Sequence, residues 1–439
     1  MKNTFLFFTL LISITAYAQE GPITAIKENG KHFKAIEFTV KKNTFYTQII
    51  PQFLSTSLTV EVNTNQNFNG SYLLLGGTEK HELNKDDENT ENVQQTAERS
   101  TNQSSSLLIS NNPFQFFSFY SDKLEGTIRI NLMYAAPLKK SYLQDSKKKS
   151  LTDCNTQPES IDQSIWRVGL PDPAPNPAYS QVKHIILHHA AGSNTNTDYT
   201  GTVRNYYLLH TQTNGWDDIG YNFLVAPNGD IYDGRQGDSL GDDNVIGAHM
   251  CARNTNTMGI CLLGNYERTG YLPSDTALAS INDLMVWKLW KEQLLNAYDS
   301  SLHPVAAPVM YLGLIAGHRQ GCNPGYTSCP GIDYLNLIEP KVRAQVAIRL
   351  ANCTPLGFNP TIKKEILIYP NPSSGMPINI IAPDKIKQVL VYNSLGQLIY
   401  FKESDDFKLE IDNLNEQGLF FIKIKTENST YTEKVQFDF

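Results

Sequence analysis

Three short strings constrain this chain more than anything else in it: HIILHHAAG at 184–192, HRQ at 318–320 and TSCPG at 327–331. A fold that uses them together must bring His188, His318 and Cys329 to one point. Two imidazoles and one thiolate are donors that zinc accepts, and three protein ligands leave the fourth position to water, as a hydrolytic centre needs and a structural one does not. The expectation is therefore a Zn2+ hydrolase. His188 closes the strand-like run VKHIIL, and His189 follows it directly. In an extended backbone these two rings face opposite ways, so only one of them joins the cation. His318 and Cys329 are linked through a loop containing Gly321, Pro324 and Gly325, which can fold back on itself. Cys322, four positions after His318, stays open as a rival ligand.

At 439 residues the chain is long enough for several domains, each with its own core. A net charge of −7 and the lack of a basic cluster argue against a nucleic-acid partner. Lys2, the apolar run Phe5 to Ile14 and the small residues Ala16-Tyr17-Ala18 predict a signal peptide over 1–18, cleaved after Ala18. No later run reaches membrane-span length, so the mature chain is expected to be secreted or at the cell surface, without a transmembrane segment. Six cysteines suit an exported protein. With Cys329 on the metal, Cys261 in the apolar run MGICLLG is expected to be a buried free thiol. The other four allow three pairings. Cys154 with Cys353 is preferred because the two bracket one domain, and Cys251 with Cys322 would then join two loops near the site.

The runs FKAIEFTV, SLTVEVN, GSYLLLGG, SSLLIS, FQFFSFY and GTIRINLMY, separated by polar turns, predict an all-β sandwich over 20–138, with 84–103 a long polar loop. Residues 139–160 read as a linker, and KKK at 147–149 as a solvated run within it. From 161 to 353 strands alternate with helices, which predicts a mixed α/β domain. VKHIIL, IGYNFLVAP, DIYDGR and TMGICLLG are strand-like, and Val203 to Leu209 is helical. Ser274 can cap a long helix with the apolar face Leu278, Ile281, Met285 and Leu289. Residues 364–439 return to pure β and predict a small antiparallel sandwich, with Asn393 to Gly396 as a turn.

The stretch 163–352 resembles the peptidoglycan-recognition-protein family of zinc amidases, the N-acetylmuramoyl-L-alanine amidases related to phage lysozyme-type amidases. It carries in order a strand with HH, then GWDDIGYNFLVAPNGDIYDGR, GAH, NTNTMGICLLGNY, and GHR followed by TSCPG. The resemblance implies His188, His318 and Cys329 as zinc ligands and Tyr221 and Thr327 as the catalytic polar pair. It also implies a groove for peptidoglycan or muropeptides in which Trp216, His249 and Asn254 are candidate contacts. Thr327 is aligned by anchoring on CPG, since the loop after His318 is longer than the common pattern. Trp216 and Arg235 also have a scaffold reading, and His184 and His210 read as structural. The last 75 or so residues resemble the C-terminal sorting domain of type IX secretion, through YPNP at 369–372, VYNSLGQLIY and GLFFIKIKT, although the chain ends VQFDF without a basic finish. That implies export through the periplasm and the type IX machinery as a partner.

Three functions follow. The first is hydrolysis of the amide between the N-acetylmuramic acid lactyl group and L-alanine, with Tyr221 and Thr327 hydrogen-bonding a tetrahedral intermediate. The second is recognition of peptidoglycan without cutting; family members of that kind typically lack the cysteine ligand, which is present here. The third is an adhesin whose zinc is structural, which four protein ligands would indicate.

Overall fold

Alternation along the buried strand His184–His189 organises the central domain: Ile185 and Leu187 enter a hydrophobic core on one side, while Ile186 packs with Met250, Leu312 and Ala316 on the other. The computed structural model describes residues 18–20, 23–50, 52–63, 65–85, 102–138, 154–174, 177–237, 244–251, 253–267, 270–303, 311–323, 326–353, 366–369, 371, 373–374, 377–412, 414 and 417–438. Residues 1–17 of the export signal expected over 1–18, most of the polar loop within 84–103, the linker up to 153 with its lysine run, Pro324 and Gly325, and two positions of YPNP lie outside the described residues.

His184–His189 sits inside a five-stranded sheet ordered Ile231–Asp233, Phe223–Val225, Thr257–Leu262, His184–His189 and Ile315–Gly317. The pairs made by the inner strands are parallel, and Ile231–Asp233 is antiparallel to its neighbour. The expected strand IGYNFLVAP is thus shorter than its apolar run, because the carbonyls of Asp218, Ile219 and Tyr221 are engaged by Arg235 in a loop. One face of the sheet is covered by the helix Asp275–Lys291 with Tyr334, Ile338, Val342, Val346 and Leu350. Ser274 caps that helix, its hydroxyl accepting from the Ala277 amide at 3.1 Å, and Leu278, Ile281, Met285 and Leu289 are buried as their spacing predicts. The other face carries the helix Tyr199–Leu208, which continues as a π-helical turn, Leu209–Thr213.

The N-terminal region forms two sheets. One contains Phe33–Val40, Gly126–Met133 and Ser55–Asn63; the other contains Thr44–Ile49, Phe116–Ser121 and Ser71–Leu75. Phe38, Val60, Leu73, Phe117 and Ile130 are buried in a core common to both. This region belongs to one compact unit with the central domain, Met1–Cys353. Phe33, Ala35, Met133 and Ala135 share a core with Trp166, Val203, Tyr206 and Tyr207 of the central domain. A polar pin lies in the same contact: the hydroxyls of Thr56 and Ser57 both donate to Asn205 Oδ1, at 2.8 and 2.7 Å. Beside it, the buried Arg204 guanidinium donates to the carbonyls of Ala136, Trp166 and Val168.

Thr354–Phe439 is a second unit with its own core of Ile380, Val389, Val391, Phe420, Ile422 and Val435. Its strand Ile378–Tyr392 pairs antiparallel with both Leu398–Ile411 and Gly418–Thr426. Gly396 occupies the turn after Tyr392 with φ +80°, a conformation that L side chains rarely adopt. Cys154 is bonded to Cys353 and Cys251 to Cys322, the preferred pairings, and Cys261 is a buried free thiol. Among the described residues no helix is long and apolar enough to cross a membrane.

Candidate active site

The carboxyl end of the central strand delivers His188 to the site. His188, His318 and Cys329 are all buried, and one donor atom from each lies within 4.8 Å of the others. Cys329 Sγ is 3.6 Å from His188 Nδ1, and the His188 and His318 ring centres are 4.4 Å apart. His189 points elsewhere, as strand alternation requires: its Nδ1 accepts from the Tyr266 amide at 3.0 Å. Its backbone amide donates to Cys329 Sγ at 3.4 Å, a contact that favours a sulfur carrying negative charge. A second cluster contains Cys251, His318 and Cys322, but its two sulfurs are joined in a disulfide and offer no thiolate, which removes Cys322 as a rival ligand. The remaining two imidazoles and thiolate fit a borderline-soft divalent cation with an open position.

The ligand loop is closed by its own residues. The Arg319 amide donates to the Cys329 carbonyl at 3.0 Å, and its guanidinium reaches Glu267 at 2.9 Å. Glu267 also accepts from the Ile332 amide at 3.0 Å. Gly331, with φ +89°, lets the chain turn directly against Tyr266, where a Cβ would sit 2.2 Å from the Tyr266 carbonyl carbon. The Thr327 hydroxyl oxygen accepts from the Cys329 amide at 3.0 Å.

Tyr221 is buried with its ring centre 5.2 Å from that of His188. Several motif residues fix it. Arg235 donates through its amide to the Tyr221 carbonyl at 2.7 Å and through its guanidinium to the carbonyls of Ile219 and Asp218, so its role here is structural. Asp218 is buried and accepts from Gln163 and from the amides of Ile219 and Gln236. Burial raises its pKa above the ordinary carboxylate value, an effect these hydrogen bonds and Arg235 oppose. Asn222 closes the other side, donating to the Val245 carbonyl and accepting from the Gly259 amide, each at 2.8 Å.

His249 stands directly behind the site. Its Nδ1 is 3.0 Å from His188 Nε2, and its Nε2 is 3.3 Å from the Thr257 hydroxyl. A carbon added at Gly259 would lie 2.7 Å from this ring, so that glycine makes the room it needs. Asn254 accepts from the amides of His249 and Met250 at 2.7 and 2.9 Å and so shapes their loop. Trp216 stacks on His210 at 4.6 Å, and His210 accepts from the Gly220 amide at 3.1 Å. His184 bonds to the Gly313 carbonyl and Ser301, away from the site. The pairing of His249 with His188 could not be read from the sequence; the only local sign is the small residue at Gly259, and that is not specific.

The family described as N-acetylmuramoyl-L-alanine amidase matches residues 178–332, and the one described as secretion system C-terminal sorting domain matches 367–437. The chain is 31% identical to peptidoglycan-recognition protein SC2 of Drosophila simulans over 162 residues, covering 36% of this chain and 74% of that protein. It is 29% identical over 184 residues to N-acetylmuramoyl-L-alanine amidase of Sus scrofa, covering 40% of this chain but only 27% of that protein. Among solved structures, Drosophila PGRP-LB is 27% identical, with 42% of this chain and 95% of that chain covered and a TM-score of 0.33.

Proposed function

We propose, from the premise that this chain belongs to the peptidoglycan-recognition-protein family and ends in a secretion-system sorting domain, that it is an exported, zinc-dependent amidase. Its central domain is an N-acetylmuramoyl-L-alanine amidase domain. The bond cut is the amide between the lactyl group of N-acetylmuramic acid and L-alanine. The observation that carries this reading is the convergence of His188, His318 and Cys329 on one buried point beside Tyr221. Among the described residues the cluster has three donors, which supports a hydrolytic zinc site, whereas the non-cutting and structural alternatives call for a missing cysteine or a fourth ligand.

Bound there, zinc supplies a Lewis acid and activates water at neutral pH. The protein's own groups do the rest. His249 orients His188 through its Nδ1 contact, which leaves His188 Nδ1 on the side of Cys329. The His189 amide holds the Cys329 sulfur as a charged acceptor. Thr327 takes the Cys329 amide on its oxygen and so keeps its own hydroxyl hydrogen to donate toward an oxyanion. The Tyr221 phenol is the second such donor and the first candidate to relay a proton to the leaving amine. Trp216 is the remaining candidate groove contact, while Asn254 acts on the groove through the loop it shapes and His249 acts behind the site. The N-terminal sheets form an accessory sandwich over 20–138, and residues 161–353 form the catalytic domain. The sorting domain directs export through the periplasm by the type IX machinery, to a secreted or cell-surface state.

The test is mass spectrometry of products from defined muropeptides. Zinc-loaded protein should release the intact stem peptide with a free L-alanine amine, and Cys329→Ser should lower kcat/KM by on the order of 10^3-fold. Full activity in Cys329→Ser, or cleavage at another bond, defeats the proposal.

A further inference from the structure

The loop holding His249 and the loop holding both His318 and Cys329 are tied together by the Cys251–Cys322 disulfide. This bond lies against a ligand: Cys251 Sγ is 3.6 Å from His318 Nε2. One donor atom from each of Cys251, His318 and Cys322 lies within 4.8 Å of the others, as holds for the hydrolytic set. Two possible ligand sets therefore share one histidine, and the oxidation state of one bond decides whether the second set has thiolates to offer.

We propose that reduction of Cys251–Cys322 creates a second zinc-class cation site, Cys251, Cys322 and His318, which takes the cation from the hydrolytic set. The inference rests on the reading of His188, His318 and Cys329 as the hydrolytic site. A two-electron reductant of the dithiol class gives up two hydrogens and closes its own disulfide, as the Cys251–Cys322 bond opens to two thiols. Cation binding then releases the two thiol protons to solvent. A neutral imidazole has one acceptor nitrogen and one protonated nitrogen, so His318 serves one set at a time. The second set has two thiolates where the first has one, and soft ligands of this kind hold zinc and cobalt more firmly. Once His318 has turned to it, the hydrolytic position keeps only His188 and Cys329. Cys251 is half-buried while Cys322 is buried, so the reductant's thiolate reaches the bond at the Cys251 sulfur. The open hydrolytic site is thus assembled only in an oxidising compartment, and a chain still in a reducing one is held inactive.

The test uses the full chain, oxidised and loaded with one equivalent of cobalt(II), whose thiolate charge-transfer absorption counts sulfur ligands. A water-soluble phosphine reduces the bond, taking oxygen from water, and peptide mass spectrometry after alkylation verifies that Cys251–Cys322 has opened. The absorption should roughly double as one thiolate becomes two, with cobalt still bound and amidase activity lost. In Cys251→Ser/Cys322→Ser, which keeps Cys154–Cys353, the phosphine should leave the spectrum unchanged. Unchanged absorption in the opened wild-type chain overturns the proposal, as do an equal response in the double variant, release of the cobalt, and a bond that opens only when the chain unfolds. An oxidised chain that binds no cobalt defeats the hydrolytic reading instead, and the reduced chain's binding is then read separately.

Discussion

The N-terminal and C-terminal β regions read alike in sequence, as short apolar runs between polar turns, yet the structure treats them differently. The N-terminal sheets share a core with the helix Tyr199–Leu208, and Asn205 pins them through Thr56 and Ser57. The C-terminal strands close around a core of their own and form a separate unit. A β pattern alone therefore does not tell whether a region is a detachable module or a wall of its neighbour; the residues at its rim decide.

The strongest way to break this comparison is to remove each region in turn. Deleting 1–137 uncovers Val203, Tyr206 and Tyr207, and the remaining chain should aggregate or lose cooperative unfolding. Deleting 354–439 should leave kcat/KM on soluble muropeptides within about two-fold, since that unit has its own core. Equal tolerance of both deletions would erase the distinction. Next in size, Ile422→Ala should destabilise the C-terminal unit by about 3 kcal/mol, seen in calorimetry as a shift of one transition while the other stays in place. Asn205→Leu removes the acceptor shared by two buried hydroxyls and should cost the larger unit about 2 kcal/mol in urea unfolding, without moving the smaller unit's transition.

The smallest effects sharpen the comparison through acid. Burial pushes the Asp233 carboxyl up to about 6, so the cost of keeping it charged is full above that pH and fades as pH falls through 6 toward the unfolded value. Lys387 and then Lys385 hold the exposed Asp405 down at about 2, so its contribution is present above the ordinary carboxylate range and is lost as pH falls toward 2. Asp233→Asn should accordingly raise the larger unit's Tm near neutrality by about 1 °C and have no effect in strong acid. Asp405→Asn should lower the C-terminal unit's Tm slightly near neutrality, with the difference vanishing near its folded-state pKa. Scanning calorimetry across pH checks both signs.

Much of the candidate site was legible because the residues proposed to carry its chemistry are rare types in compact strings. His188 and His189 separate by strand alternation alone, and Ser274 with its apolar spacing marks the long helix. The two disulfides followed from domain bracketing and from setting Cys261 and Cys329 aside. What was not legible depends on distant partners of ordinary type. Asn205 is one more polar residue on a helix until Thr56 and Ser57 meet it, and Phe33 and Met133 look like any inward strand residues. His249 was a candidate groove contact only through the family resemblance of its GAH loop, whereas its ring lies between His188 and Thr257.

Cys154 and Cys353 join the start and finish of the central domain across 199 positions. If the chain is pulled from before Cys154 and from after Cys353, tension entering at one cysteine leaves at the other through the covalent link. Load carried along the chain itself then bypasses the 199 positions between them, and only what passes through the packed contact at Asn205 reaches the central fold.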